Sequence, residues 1–253
     1  MLTAIIATTT LFLTCTGAAT FGYEPEPGPS PMSAPNVQGS FDHSVWSNLL
    51  QDHVNNKGEV DYTAMGKDPR LGRYLGELSK AEPNERWSMN ERKAFWINAY
   101  NAFTIRLILD HPGVQSIKDI DSPWKTKFFT IGGRTMDLDH VEHTELRKNI
   151  NDPRIHFGIV CASFSCPRLW NHAYTAQDID KQLDDAARRF INDPLRNELG
   201  PERVRLSRIF DWFKSDFTEH GTLVEYIKRY ATIPVSHVAT VEYLEYDWRL
   251  NEQ

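Results

Sequence analysis

The segment SMNERKAFWINAYNAFTIRLILDHPG, residues 88–113, constrains the fold more than any other part of the chain. Ser88 and Glu91 have the spacing of a capping box, and His111-Pro112-Gly113 supplies a stop, so one long helix is expected between them. Its apolar positions, among them Phe95, Trp96, Ile97, Phe103, Ile105 and Ile108, leave almost no polar face. Such a helix belongs at the centre of a domain, covered on most sides. Asn98 and Asn101 then require an explanation, because a buried amide without partners costs about 1–3 kcal/mol. Both must bond to backbone, to side chains or to a ligand.

The other elements are arranged to cover this helix. FDHSVWSNLLQDHV reads as an amphipathic helix with Asp42 at its cap, and a second helix is expected from Pro69 to Lys80. Gly132-Gly133 fits the two-residue turn of a hairpin joining Phe128–Ile131 to Arg134–Leu138. DLDHVEHTELRKNI should be a short helix capped by Asp137 or Asp139, RIHFGIV a buried strand, and TAQDIDKQLDDAARRFIND a helix capped by Thr175. VRLS reads as a strand, RIFDWFKSDF and TLVEYIKRYA as helices, and HVATVEYLEYDWRL as a final strand. The expected class is α+β: a single domain with a central buried helix and other helices around a mostly antiparallel sheet.

The chain has 253 residues, 40% of them hydrophobic and 25% charged, which suffices for one large core. A formal net charge of -6 leaves no basic stripe for a phosphate backbone, so nucleic acid is not an expected partner. MLTAIIATTTLFLTCTGAA resembles the apolar region and cleavage zone of an export signal, and it is too short and Thr-rich for a stable membrane span. No Lys or Arg follows Met1, and Cys15 fits a lipoprotein box badly. The expected organisation is a signal over residues 1–22, a Pro-rich linker over 23–40 and the domain over 41–253, in an exported (periplasmic or secreted) protein. No motif calls for a cofactor, and no partner can be named.

An exported form would keep two cysteines, Cys161 and Cys166, in RIHFGIVCASFSCPRL. A disulfide is the plain expectation for such a pair. On a straight strand the two would lie roughly 16 Å apart, against roughly 4.4–6.8 Å between the Cα atoms of a disulfide. A bridge therefore needs a turn at Ala162-Ser163-Phe164-Ser165. The alternative is a catalytic thiol, with Cys166 the better nucleophile because it leaves the strand ahead of Pro167, and His143 or His156 as its base. Asn98 or Asn101 would then orient a partner. A metal site built on His140 and His143 lacks the spacing of known zinc motifs, so no metal is expected.

FWINAYNAFTI, LDHVEHTELR, DPRIHFGIVCASFSCPRL and the closing EYDWRLN together resemble the signature segments of the domain of unknown function 547 family, over about residues 41–251. The resemblance marks Asn98, Tyr100, Asn101, Glu142, His143, Arg147, Arg154, His156, Cys161, Ser165, Cys166 and Pro167 as recurrent positions. It implies a site in which Tyr100, Glu142, Arg147 and Arg154 bind, and it assigns no activity. A looser analogy is the papain- and transglutaminase-like architecture, from which the chain departs in having no cysteine on its central helix. Two readings stay open: an exported thiol hydrolase or acyltransferase using Cys166 with a histidine, and a noncatalytic binding or scaffold domain with a Cys161-Cys166 disulfide or structural thiols.

Overall fold

The structure, a computed structural model, describes residues 41–253. The expected signal, the Pro-rich linker and Cys15 lie outside the described residues.

Helix α1 (Ser44–His53) packs on α3 (Pro69–Lys80), where Trp46 stacks on Tyr74 with ring centroids 5.4 Å apart. Between them α2 (Tyr62–Lys67) and α3 are capped by Asp61 and Asp68, whose carboxylates accept from the N–H groups of Ala64 and Arg70. The central helix is α4 (Met89–Leu109), and its capping box forms as expected: Ser88 Oγ accepts from the Glu91 N–H, and Glu91 accepts from the Ser88 N–H. Phe95, Trp96 and Ile97 are each at most 1% exposed, so this helix is covered on all sides. Each such side chain contributes about 1.5–3 kcal/mol on burial. Both amides are fully occupied by backbone. Asn98 donates to Tyr174 C=O and accepts from Tyr174 N–H, while Asn101 donates to Gly158 C=O and accepts from Val160 N–H.

The hairpin pairs β1 (Phe129–Ile131) with β2 (Arg134–Met136). Its turn needs left-handed backbone at two successive residues, φ 56° at Gly132 and 73° at Gly133, which glycine adopts without strain. Phe129 stacks on Phe103 at 4.0 Å, fixing the hairpin to α4. Next, Asp137 accepts from the His140 N–H and starts α5, which is α-helical over Leu138–His140 and a π-helix over Val141–Lys148. Its end shows the wide i→i−5 bonds: Asn149 N–H to Thr144 C=O and Asn151 N–H to Leu146 C=O. Such wide turns are rare and gather at functional sites.

Residues 154–160 form no strand, contrary to the sequence expectation. Asp152 caps a 3₁₀ turn over Pro153–Phe157, and Gly158–Val160 then runs along α4. Apolarity signalled burial correctly. Here the Asn101 amide supplies the donor and acceptor that a neighbouring strand would otherwise supply, and Asp-Pro starts a helical turn.

Helix α6 (Ile179–Ile191) begins later than expected, because Thr175 bonds Asp178 instead of the helix start. A second small sheet has the order β3 (Glu198–Leu199), β4 (Arg203–Leu206), β5 (Thr240–Tyr243), antiparallel then parallel. The stretch 208–217 divides at Phe213 into α7 (Ile209–Trp212) and α8 (Lys214–Phe217), and α9 (Leu223–Lys228) follows. The class is α+β, with helices around two small sheets. Among the described residues no helix is long and apolar enough to cross a membrane.

Candidate functional site

The cysteine loop is held from three directions. On one side the Asn101 amide fixes its approach. On another, the C-terminal segment pairs with its backbone: Phe164 N–H donates to Arg249 C=O at 2.7 Å, and Asn251 N–H to Ala162 C=O at 3.1 Å. From below, the buried Arg196 donates to the carbonyls of Cys166 and Phe164, both at 2.8 Å, while Asp193 holds its third nitrogen. Five donors in a rigid fork suit arginine to this bracing. Within the loop Ala162 takes a left-handed φ of 59°, and Cys166 N–H returns to Ser163 C=O. The required turn is therefore made, and it brings the sulfurs together.

Cys161 Sγ and Cys166 Sγ lie 2.7 Å apart as free thiols, with Cys166 buried and Cys161 half-buried. Cys166 Sγ also accepts from the Cys161 N–H at 3.2 Å and lies 3.2 Å from the Tyr246 hydroxyl. Burial disfavours its thiolate, but the Cys161 thiol, Tyr246 and the N–H groups of Ser163 and Cys161 outweigh burial and bring Cys166 down to about 7. Cys161 is pushed well up by its contact with Cys166 and by burial. The two thiols therefore titrate as a pair, with Cys166 the more acidic.

Both sulfurs open on a cavity of about 500 Å³. Its wall includes Tyr100 from α4, Glu142 and His143 from α5, and His156 from the 3₁₀ turn. Its mouth is aromatic: Trp212 stacks on Trp248 at 5.6 Å, and Tyr246 meets both rings at 4.8 and 4.5 Å. Glu142 is buried, accepts from the Tyr100 hydroxyl at 3.1 Å, and is pushed up to about 7 by that burial. The Tyr100 bond and the Arg147 charge limit the rise, while Asp139 and Cys166 add to it.

Neither histidine bonds a sulfur. Arg147 donates to His143 Nδ1 at 2.8 Å, so that nitrogen is an acceptor, and Nε2 lies 3.4 Å from Asp139. His156 Nε2 meets Asp216 at 2.8 Å, and its ring stacks on Phe213 at 4.1 Å. Burial holds His156 below its ordinary value despite Asp216. Asp216 also receives a bidentate pair from Arg147, and its carboxyl is held well below the usual range by Arg147 and His156 against the cost of burial.

Of the residues singled out in the sequence, the cavity brings together Tyr100, Glu142, His143, His156, Cys161, Cys166 and Pro167. Arg147 stands behind His143. Asn98 and Asn101 hold backbone away from the cavity, and Arg154 joins Asp152, Asp180 and Asp184 in a separate ion cluster. His140 pairs with Glu145, apart from His143. Sequence reasoning missed Tyr246, Trp248, Asp216 and Arg196. Tyr246 and Trp248 lay within the closing EYDWRLN segment, a usable signal, whereas nothing local marked Asp216 or Arg196.

Residues 84–191 match the family model described as "Protein of unknown function, DUF547". The match runs from the approach to α4 through the cysteine loop to the end of α6, and Tyr246 lies beyond it. No curated protein and no solved structure matches the chain significantly.

Proposed function

The chain carries a DUF547 region over residues 84–191, in a family without an assigned activity, and we propose that its cavity is a thiol active site with Cys166 as the attacking thiolate and Cys161 as the resolving thiol. The reaction is thiol–disulfide exchange with a small disulfide or dithiol. Cys166 attacks one sulfur of the substrate disulfide, whose S–S bond breaks and whose first sulfur leaves with a proton. Cys161 then gives up its proton and attacks Cys166 Sγ, releasing the second substrate thiolate, which takes a proton from solvent. The substrate gains two electrons and the cysteine pair loses two; the reverse reaction oxidises a dithiol.

The observation that carries this reading is the turn over Ala162–Ser165, which brings Cys161 Sγ and Cys166 Sγ into direct contact on the wall of one cavity. A thiolate near neutrality is the best attacking species, and a resolving thiol must reach the same sulfur. The hydrolase or acyltransferase reading rests on Cys166 with His143 or His156 as its base. It lacks a base for Cys166, since both imidazoles are engaged elsewhere. We place the chemistry outside the cytoplasm, as the N-terminal residues suggest.

Cysteine variants test the proposal. Incubated with oxidised glutathione or hydroxyethyl disulfide, Cys161→Ser accumulates a mixed disulfide on Cys166, visible by intact mass. The wild type passes on to an internal disulfide two hydrogens lighter, and Cys166→Ser reacts far more slowly. Equal inertness of all three proteins would refute the exchange reading; rapid acylation of Cys166 by a thioester or activated ester would favour the acyl-transfer one.

A further inference from the structure

Dithiol exchange moves protons as well as electrons. The first departing sulfur leaves more readily when a proton is delivered to it, and Cys161 must lose one before it can resolve the intermediate. In a half-open cavity walled largely by apolar and aromatic side chains, a local carrier speeds these transfers. The groups facing the sulfurs narrow the choice. His143 is held by Arg147 and Asp139, and His156 by Asp216. Tyr100 and Tyr246 are both pushed far above their ordinary range by burial and neighbouring negative charge. Asp139 and Lys125 line the outer wall, and Asp139 already faces His143.

Glu142 remains. It is 9% exposed, and one carboxylate oxygen accepts from the Tyr100 hydroxyl at 3.1 Å. The other has no protein partner among the described residues, and Glu142 lines the same cavity as Cys161 and Cys166. The π-helical turn places it there: its wide turn sets Glu142 against α4 while His143, the next residue, stays beside Arg147.

We propose that Glu142, held by Tyr100, is the proton carrier of the Cys161–Cys166 pair. This rests on the exchange reading above. In the resting state Cys166 is a thiolate and Glu142 keeps its proton, because burial, and to a smaller degree the neighbouring negative charge, favours the neutral acid. When Cys166 forms the mixed disulfide that charge disappears, Glu142 becomes more acidic, and it protonates the departing substrate sulfur. The resulting carboxylate takes the proton of Cys161 as Cys161 attacks. The cycle returns Glu142 to its acid form with the disulfide in place, so one group serves both half-reactions. Groups that face Glu142 and modulate it are Tyr100 on α4, Asp139, His143 and Arg147 on α5, and the two cysteines on their loop.

Glu142→Gln tests this, since an amide keeps the volume and the Tyr100 bond but carries no proton between sulfurs. The expected result is exchange with hydroxyethyl disulfide slowed about 10²-fold, with the fall of the rate at alkaline pH lost from its profile and the rise that follows the Cys166 thiolate retained. Alkylation of Cys166 by iodoacetamide, which requires no proton carrier, stays within a few-fold of wild type, and Glu142→Asp recovers part of the exchange rate. Wild-type exchange with an unchanged Glu142→Gln rate would overturn the carrier role while leaving the exchange reading intact; absence of wild-type exchange would remove both. Where Glu142→Gln does not fold, infrared spectra of the wild type decide: a protonated carboxyl band present at about pH 6 and lost by about pH 8 supports the carrier, and its absence at about pH 6 overturns it.

Discussion

The hydroxyl of Tyr246 lies 3.2 Å from Cys166 Sγ, across eighty residues of chain. The closing segment that pairs with the cysteine loop also delivers this hydroxyl, so the backbone pairing of Phe164 with Arg249 and the electrostatics of the thiolate share one cause. Tyr246→Phe removes the donor and leaves the ring. A hydrogen bond to a charged group contributes about 1.5–3 kcal/mol, and about 1.4 kcal/mol corresponds to one pKa unit. Cys166 is therefore expected to titrate about one unit higher, slowing its alkylation near neutral pH several-fold. The pH dependence of iodoacetamide labelling reads this directly, and a superimposable profile would show that the backbone N–H groups suffice.

Asn101→Ala is expected to be a stability lesion first. It strands the Gly158 carbonyl and the Val160 N–H, two buried groups that the amide alone pairs. At about 1–3 kcal/mol for each unsatisfied group, the loss should be several kcal/mol in urea unfolding. Were Asn101→Ala as stable as wild type, this account of the loop's approach would be wrong.

Glu142 also leaves a signature in the pH dependence of stability. Its folded pKa, raised by burial to about 7 from the usual 4.5, means that the folded state binds the proton more tightly than the unfolded chain. Its contribution is fully present below about pH 4.5 and is lost as the pH rises through about 7. The difference in unfolding free energy between wild type and Glu142→Gln should therefore shift against the wild type across that window, by at most about 3.4 kcal/mol. Urea titrations at several pH values measure it, and parallel curves would show that the carboxyl is not held neutral.

Legibility followed the range of the interaction. The α4 capping box and the Gly132-Gly133 turn are set by residues within a few positions of one another, and both form as read. The span of α3 was also legible, because Pro69 and the apolar spacing after it are local signals. Residues 154–160 were misread because an apolar run shows burial without showing what pairs its backbone, and that partner is a side chain fifty-nine residues away. The π-helical form of Val141–Lys148 left no mark that local reading could detect.

The candidate site divides in the same way. The sequence by itself determined that a buried helix must satisfy Asn98 and Asn101, and that bringing Cys161 and Cys166 together requires a turn between them. Both follow from the cost of unpaired buried groups and from strand geometry. Only the tertiary structure decided that the sulfurs meet, that Tyr246 and not a histidine faces Cys166, and that Glu142 shares their cavity. These depend on where the C-terminal segment, α5 and Arg196 come to rest against the loop. Contacts between residues distant in sequence are selected by packing the whole core at once, and no local pattern records them.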